Sequence, residues 1–392
     1  MTIDAEKFQI APLGNTKVFE PIKLGPNTLS QRIAYAPTTR FRASGDTHVP
    51  SDLQLEYYTA RSQYPGTLII TEATFASPQG GLDAHVPGIY SPEQTEAWKK
   101  VNEAIHANNS FSAVQLWYLG RVANAADLKK LNLPLVGPSA VYWNEESEKL
   151  AKEAGNELRA LTKEEIDHIV DVEYPNAARN ALAAGFDYVE IHSAHGYLLD
   201  QFLNLDSNKR TDEYGPDSVE NRARLLLRVV DKLIPIVGAD RLALRLSPWA
   251  RFQVAQAEGE EVHSYILKEL QKRADDGKQL AYVSIVEPRV SGIFDVKEQL
   301  GTNDFAYKYW KGTFIRAGAY AQAFNRVEED VQNDRTLIAF SRFFTSNPDL
   351  VQKLKDGTPL NPYNRDEFYK YYNYGYNSYD EDQKEVFPTA LV

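Results

Sequence analysis

About eight short apolar segments rich in β-branched residues recur along the 392-residue chain, most of them followed by a loop and an amphipathic stretch. Strands that alternate with helices in this way form a parallel sheet. Near-continuous apolarity is typical of strands buried on both faces. Since eight such strands close a TIM barrel, we predict a single α/β domain, a (β/α)8 barrel over 1–392. The segments begin near Arg32, Thr67, Phe111, Tyr188, Leu242, Ala281, Thr313 and Leu337.

The connections between these segments carry recognisable turn and helix signals. Ser91 begins a capping-box sequence. Pro175 lies inside a helical pattern and predicts a kink, because proline removes an intrahelical hydrogen bond. The Gly-Pro-Asn sequence at 25–27 predicts an N-terminal β-hairpin that forms a lid over the amino-terminal end of the barrel. Two long insertions, 120–161 and 289–311, follow the third and sixth segments and should lie on the catalytic face.

The amino-acid composition narrows the range of functions that the chain could have. The chain has 43 Lys and Arg against 54 Asp and Glu, a net charge of −11, which argues against nucleic-acid binding. It has no cysteine, so disulfides and thiolate chemistry are excluded and redox chemistry needs an organic cofactor. No segment approaches the roughly 20 apolar residues of a membrane span, and the amino-terminal residues do not form a signal sequence. We therefore expect a soluble, cytoplasmic protein without a membrane partner.

One predicted strand contains a charged residue that a barrel core would not tolerate alone. Arg245 lies within LALRLSP, and a buried guanidinium implies a carboxylate or an electron-rich ligand beside it. A buried ion pair and a ligand contact are both compatible with the sequence. Gln115 and Thr39, near the ends of other strands, could hydrogen-bond a planar heterocycle. Buried Gln and Thr more often satisfy nearby backbone.

The segment EIHSAHGYLLDQFL places two imidazoles and a phenol within six residues, at the end of the fourth predicted strand. His192 and His195 would face opposite sides of a continuing strand, but a turn through Ser193 and Ala194 would bring them together. Their N–H groups could then polarise a carbonyl oxygen, and Tyr197 could supply a proton. A metal pair is an alternative, although no third ligand with metal-site spacing is evident. The other alternative is that both are core histidines whose hydrogen bonds are satisfied within the protein.

Small residues, an arginine and a helix start follow the last two strands, which is the usual barrel arrangement for a phosphate. Gly318 and Ser341 are the small residues and Arg342 is the charge partner. A surface ion pair is the alternative role for Arg342. The tyrosine-rich stretch 363–380 predicts aromatic packing across the barrel mouth, which a ligand pocket would share.

A series of segments in matching order resembles the Old Yellow Enzyme family of flavoprotein reductases, particularly its fungal members. The resemblance runs from about Phe19 to about Tyr379 and is carried most clearly by HSAHGYLLDQFL followed by SNKRTDEYGPDSVENRAR. It also takes in APTTRFRA, PGTLIITEATFASPQGG, AVQLWYLGR, LALRLSP, VEPRV, NDFAYKYWKGTFIRAG and RFFTSNPDL. The resemblance implies FMN across the carboxyl-terminal mouth of the barrel, with NADPH preferred over NADH as hydride donor.

The resemblance also implies roles for individual residues. His192 and His195 would hold the substrate oxygen, Tyr197 would donate the proton, and Arg245 would stabilise negative charge near N1 and O2 of reduced flavin. The implied FMN contacts are Pro37, Thr39, Ala73, Gln115, Arg245, Gly318, Ser341 and Arg342. The implied substrate contacts are His192, His195, Trp117, Phe252, Phe294 and Tyr376. The sequence departs from the common family pattern at His195, Gln253, Ala319 and Ser341.

These roles predict an ene-reductase with ping-pong kinetics and no bound metal. Hydride passes from the nicotinamide through the flavin to the β-carbon of an enone, enal or nitroalkene, and Tyr197 protonates the α-carbon. The resemblance allows a homodimer. One alternative is a flavoprotein that binds phenols or steroids with little turnover. Another is a flavin-free barrel aldolase or isomerase.

Overall fold

The computed structural model describes residues 8–391 and contains a closed barrel of eight parallel strands. Consecutive barrel strands are neighbours, and the eighth pairs with the first through Ile338 and Ile33. The predicted TIM barrel is therefore confirmed. The barrel strands, called first to eighth below, are Ile33–Tyr35, Leu68–Phe75, Phe111–Trp117, Tyr188–Ser193, Leu242–Leu246, Tyr282–Val286, Phe314–Ala317 and Thr336–Phe340.

Alternation along each strand divides its side chains between two environments. On the fourth strand, Val189 and Ile191 lie in the large apolar core between the barrel and its helices. Tyr188 lies in a smaller core that also contains apolar residues of the N-terminal hairpin. Because strand side chains alternate, Glu190 and His192 share the face of Tyr188. These three residues therefore rise through the barrel interior from its amino-terminal end towards its mouth.

Helices surround the barrel. The capping box at Ser91 is present, with Pro92 at the first helical position. The α-helices are Asp52–Arg61, Pro92–Ala107, Ala125–Lys130, Glu145–Glu153, Lys163–His168, Tyr174–Ala183, Leu198–Leu203, Val219–Val237, Gly259–Asp275, Ala306–Tyr309, Asn325–Asp330, Arg342–Ser346 and Leu350–Asp356. None of the helices within residues 8–391 is long and apolar enough to cross a membrane.

The helix around Pro175 changes its hydrogen-bonding pattern just before the proline, where the sequence predicts a kink. A π-helical segment, Ile169–Glu173, separates the helix that ends at His168 from the helix Tyr174–Ala183. Pro175 thus occupies a position in the first turn of the second helix, where its missing N–H is tolerated. The proline changes the helical geometry without ending the helical run.

The N-terminal hairpin consists of Ile22–Leu24 and Asn27–Leu29. Its turn places Gly25 at φ 52°, a left-handed conformation that suits glycine. The Tyr188 hydroxyl, at the start of the fourth strand, donates to the Leu24 carbonyl at 2.7 Å and accepts from the Asn27 amide at 3.1 Å. These contacts confirm that the hairpin covers the amino-terminal end of the barrel.

Both long insertions follow the carboxyl ends of barrel strands, as expected. The first, after the third strand, contains two helices and a short parallel pair, Val136–Gly137 with Arg159–Ala160. The second, after the sixth strand, contains an antiparallel hairpin, Val290–Ser291 with Phe294–Asp295. Their position places both insertions around the mouth where TIM barrels carry their active sites.

We expect Tyr188→Phe to lower the free energy of unfolding by about 1–2 kcal/mol, because it leaves the buried Leu24 carbonyl without its donor. Chemical denaturation of the two proteins measures the difference. Tyr309→Phe is the control, since the Tyr309 hydroxyl has no hydrogen bond to another residue of 8–391. Equal effects of the two substitutions would show that Tyr188 does not fasten the hairpin.

Candidate active site

Aromatic rings and imidazoles form a continuous group at the carboxyl ends of the second to fourth strands. Trp117 stacks on Phe75 with their ring centroids 5.3 Å apart and their planes at 2°. Tyr197 meets Trp117 edge-on at 4.8 Å and His192 edge-on at 5.2 Å. The rings of His192 and His195 are 6.4 Å apart. The structure therefore brings together the two histidines and the tyrosine that the sequence singled out.

The turn that brings the histidines together lies later than predicted. Ser193 remains in the fourth strand and pairs with Leu246, so the chain cannot turn there. The left-handed residues are instead His195, at φ 56°, and Gly196, at φ 71°. The predicted turn through Ser193 and Ala194 is wrong by about two residues, because the ladder to the fifth strand continues through Ser193.

Three side chains outside the predicted site hold this turn. The Ser247 hydroxyl accepts from the His195 backbone N–H at 2.8 Å. An Asp200 carboxylate oxygen accepts from the Gly196 N–H at 2.7 Å, and the Gln201 amide donates to the Gly196 carbonyl at 2.8 Å. Sequence reasoning missed all three residues. Their only signal was position, just after a strand end or in the first turn of a helix.

Burial keeps both imidazoles neutral. It lowers the pKa of His192 well below its ordinary range, with further lowering by His195 and Arg245. Burial and then Arg245 lower the pKa of His195 to about 3. The Nδ1 atoms of both rings are buried without a hydrogen-bond partner within residues 8–391, so these are not satisfied core histidines. Both rings therefore retain capacity to hydrogen-bond a ligand.

Tyr197 also stays protonated, because burial raises its pKa to about 12. At neutral pH the site thus contains a phenol and two neutral imidazoles. In the part of the chain that the structure describes, no group of three or more His, Cys, Asp or Glu side chains could hold a metal ion. The metal-pair interpretation of His192 and His195 therefore gains no support.

Arg245 brings a positive charge to the same mouth. It lies on the fifth strand with 8% of its surface exposed, and its guanidinium makes one hydrogen bond, 3.4 Å to the Ser284 hydroxyl. No carboxylate oxygen lies within 4.0 Å of it among residues 8–391, so the direct ion-pair interpretation is wrong. Burial lowers the pKa of Arg245, and the more distant Glu190 only partly offsets this. The unused donors of this buried cation are available to a ligand rich in electrons.

Two of the residues assigned to the flavin pyrimidine, Ala73 and Gln115, lie on the adjacent second and third strands. Gln115 pairs with Ala73 across the second and third strands, just beyond an irregularity that begins at Ile70. Such bulges are common at barrel rims, where they redirect side chains. The Gln115 amide donates to Glu190 at 2.6 Å. Gln115 is thus held by a side chain rather than by backbone, which the sequence did not reveal.

Pro37 and Thr39 follow the first strand and are half-buried. The Thr39 hydroxyl has no hydrogen-bond partner in the described chain, whereas its neighbour Thr38 lies 2.8 Å from the Ser341 hydroxyl. Thr39 therefore remains available to a ligand. The contact of Thr38 links the first strand to the residues that follow the eighth.

The predicted phosphate residues follow the seventh and eighth strands. Gly318 has φ 138°, and Ser341 directly precedes the helix Arg342–Ser346. Arg342 forms a bidentate ion pair with Asp295, with contacts of 2.9 and 2.5 Å. The ion pair that the sequence left as an alternative is therefore present. It joins the helix Arg342–Ser346 to the hairpin of the second insertion.

Three of the four predicted aromatic substrate contacts extend the same ring system. Trp117 belongs to this ring system directly. The ring centroid of Phe252 lies 6.3 Å from that of His195. The ring centroid of Phe294 lies 6.5 Å from that of Phe252, and 58% of the surface of Phe294 is exposed. Tyr376 does not join these rings. It is buried and stacked on Tyr57 at 4.1 Å.

Comparisons with known proteins show which family and which proteins this chain is similar to. A model of the NADH:flavin oxidoreductase / NADH oxidase family matches residues 17–361. The chain is 74% identical to a probable NADPH dehydrogenase of Candida albicans, over 99% of this chain and 97% of that protein. It is 45% identical to enoate reductase 1 of Kluyveromyces lactis, over 97% of each. The solved structure of Old Yellow Enzyme from a Pichia species matches with a TM-score of 0.91 and 46% identity, over 97% of this chain and 100% of that one.

We expect cyclohexenone binding to the FMN-loaded protein to show no inflection near pH 6.5 that depends on His192, over the range from about pH 5 to 8. Ordinary imidazoles titrate near 6.5, but the lowered pKa values keep His192 and His195 neutral over this range. Changes in flavin absorbance measure the dissociation constant at each pH. An inflection near pH 6.5 that disappears in His192→Ala would contradict the assignment of neutral donors.

Proposed function

The chain belongs to the NADH:flavin oxidoreductase / NADH oxidase family, and from this premise we propose that it reduces activated carbon–carbon double bonds at the barrel mouth. It is an FMN oxidoreductase of the Old Yellow Enzyme type with NADPH as hydride donor. The proposed substrates are enones, enals and nitroalkenes. The observation that carries the proposal is the arrangement of two neutral imidazoles, a protonated phenol and an unpaired guanidinium at one strand-end cluster.

The donors at the mouth fit FMN. Arg245 would supply a cation for the N1 and O2 edge of the pyrimidine, which gains negative charge on reduction, and Gln115 and Thr39 would supply hydrogen bonds beside it. Pro37 and Ala73 would complete that side, and Gly318, Ser341 and Arg342 would hold the phosphate. Bound FMN supplies the redox chemistry, taking hydride from NADPH and delivering it to the β-carbon of the substrate. The protein supplies the charge, the orientation and the proton.

His192 and His195 would hold the substrate oxygen. Both rings are neutral, so each can donate one N–H without bringing a full charge into the buried site. Donation to the carbonyl or nitro oxygen stabilises the negative charge that develops there as hydride reaches the β-carbon. Trp117 and Phe252 lie against opposite ends of this group and would confine the substrate between them.

Tyr197 would protonate the α-carbon. Its raised pKa keeps the proton on the phenol until a strong base forms beside it, and an enolate carbon is such a base. Edge contacts with Trp117 and His192 fix the ring, so the hydroxyl has a defined direction relative to the bound oxygen. Bulk water would compete poorly with Tyr197 as the proton donor, because these aromatic rings surround the site.

A phenol-binding or steroid-binding flavoprotein would use the same two imidazoles. Steady oxidation of NADPH in the presence of an enone separates the reductase from such a binding protein. A flavin-free aldolase or isomerase is inconsistent with the family. Assembly as a homodimer stays a prediction that sedimentation would test.

We expect Tyr197→Phe to slow reoxidation of the reduced protein by cyclohexenone roughly 100-fold, the usual scale for a lost general acid. Reduction by NADPH should be nearly unchanged, because that half-reaction needs no proton on carbon. Stopped-flow absorbance follows the two half-reactions separately.

A nitroalkene is the control for this variant. Its nitronate product is stable enough to leave without protonation, so Tyr197→Phe should still consume a nitroalkene. Reoxidation by cyclohexenone at the unmodified rate would remove Tyr197 from the proton-donor role.

We expect His192→Ala to weaken binding of phenol and of cyclohexenone by roughly tenfold, because it removes one donor to the ligand oxygen. Titration of the oxidised, FMN-loaded protein measures both dissociation constants. His106→Ala is the control, since His106 is a surface residue paired with Asp187 at 2.9 Å. Unchanged affinity in His192→Ala would contradict its assigned contact.

A further inference from the structure

A fully buried carboxyl group lies beneath the candidate active site, two residues before His192 on the fourth strand. Glu190 has 0% exposure and precedes His192 by two residues on the same face of the fourth strand. Its Oε1 atom accepts from the Gln115 amide nitrogen at 2.6 Å. Gln115 and Glu190 are direct partners in the ladder between the third and fourth strands, so their side chains are neighbours by register.

The contact decides which end of the Gln115 amide is free. An amide has a donor end and an acceptor end of almost equal shape, and only its surroundings distinguish them. The Oε1 atom of Glu190 accepts from the nitrogen end of this amide, and a carboxyl group keeps an acceptor oxygen in either charge state. The amide oxygen of Gln115, and the second N–H of its nitrogen, are then left for another partner.

The pyrimidine edge of a flavin alternates between carbonyl acceptors and one N–H donor. An amide oxygen can accept from that N–H, whereas an amide turned the other way would bring its NH2 group against it. We propose that Glu190 is a positioning residue that fixes the Gln115 amide in the orientation that recognises the flavin pyrimidine. The proposal rests on the proposed function, because that function places FMN beside Gln115.

Charge is a separate role that Glu190 could have. Burial raises the pKa of Glu190, and the opposing effects of Arg245 and of the Gln115 hydrogen bond are smaller. Arg245 has no carboxylate within 4.0 Å among residues 8–391, so Glu190 does not form a direct ion pair with it. The geometry therefore favours hydrogen bonding to Gln115 over neutralisation of Arg245 as the role of Glu190.

Two substitutions separate these roles. Glu190→Gln and Glu190→Met both remove any negative charge, but only Glu190→Gln keeps an oxygen that can accept from Gln115. Protein stripped of FMN is titrated with FMN, and quenching of flavin fluorescence gives the dissociation constant. We expect Glu190→Gln to stay within about threefold of the unmodified protein and Glu190→Met to bind FMN roughly tenfold more weakly.

A double-mutant cycle tests whether Glu190 acts through Gln115. In a Gln115→Met background, Glu190→Met should change the FMN dissociation constant by less than about threefold, because the amide that it orients is gone. Equal weakening in the two backgrounds would overturn the proposal. So would Glu190→Gln binding FMN as weakly as Glu190→Met, since charge would then be the determinant.

Failure of this inference is distinguishable from failure of the proposed function. If the unmodified protein does not bind FMN, the proposed function fails. If it binds FMN and Glu190→Met binds equally well, only the role of Glu190 fails. Because Glu190→Gln is close in shape to the native residue, roughly tenfold weaker FMN binding by this variant would overturn the proposal even if Glu190→Met does not fold.

Discussion

Burying a guanidinium without a paired carboxylate costs free energy. The mouth of this barrel contains such a guanidinium, that of Arg245, and its charge influences the neighbouring side chains. Arg245 keeps one long hydrogen bond to Ser284, while its field helps to hold His192 and His195 neutral. A protein does not retain such a charge for stability, because an apolar side chain would pack there at less cost. We assign this cation to a ligand that carries or develops negative charge. Burial is the main cause that keeps the neighbouring imidazoles neutral, and the field of Arg245 adds to it.

The barrel determines which residues share that environment. Alternation along the fourth strand puts Glu190 and His192 on its inward face, and register sets Glu190 beside Gln115 and His192 beside Arg245. These four side chains therefore come from three adjacent strands, the third, fourth and fifth. The left-handed turn at His195 and Gly196 then returns the chain so that Tyr197 meets Trp117.

The barrel, its hairpin lid and its strand-end chemistry could be predicted because they depend on local patterns. Apolar runs marked the strands, and the segment from His192 to Tyr197 concentrated polar groups where a strand ends. Contacts between residues far apart in sequence, and the point at which a strand stops pairing, could not be predicted from local patterns. The pairing of Arg342 with Asp295 joins residues far apart in sequence, and the turn at His195 depended on how far the ladder to the fifth strand continued. The stacking of Tyr376 on Tyr57 is likewise a contact between residues far apart in sequence, and the substrate contact of Tyr376 stays a prediction.

The most direct test is the affinity of Arg245→Ala for FMN. Arg241→Ala is the matched control, because Arg241 lies just before the other end of the same strand and donates to the Asp187 backbone at 2.9 Å. Both variants are stripped of flavin and titrated with FMN by fluorescence quenching. The account predicts that Arg245→Ala binds FMN roughly 10- to 100-fold more weakly, the scale of a lost hydrogen bond to a charged group, while Arg241→Ala binds normally. Unchanged FMN affinity in a folded Arg245→Ala protein would contradict it.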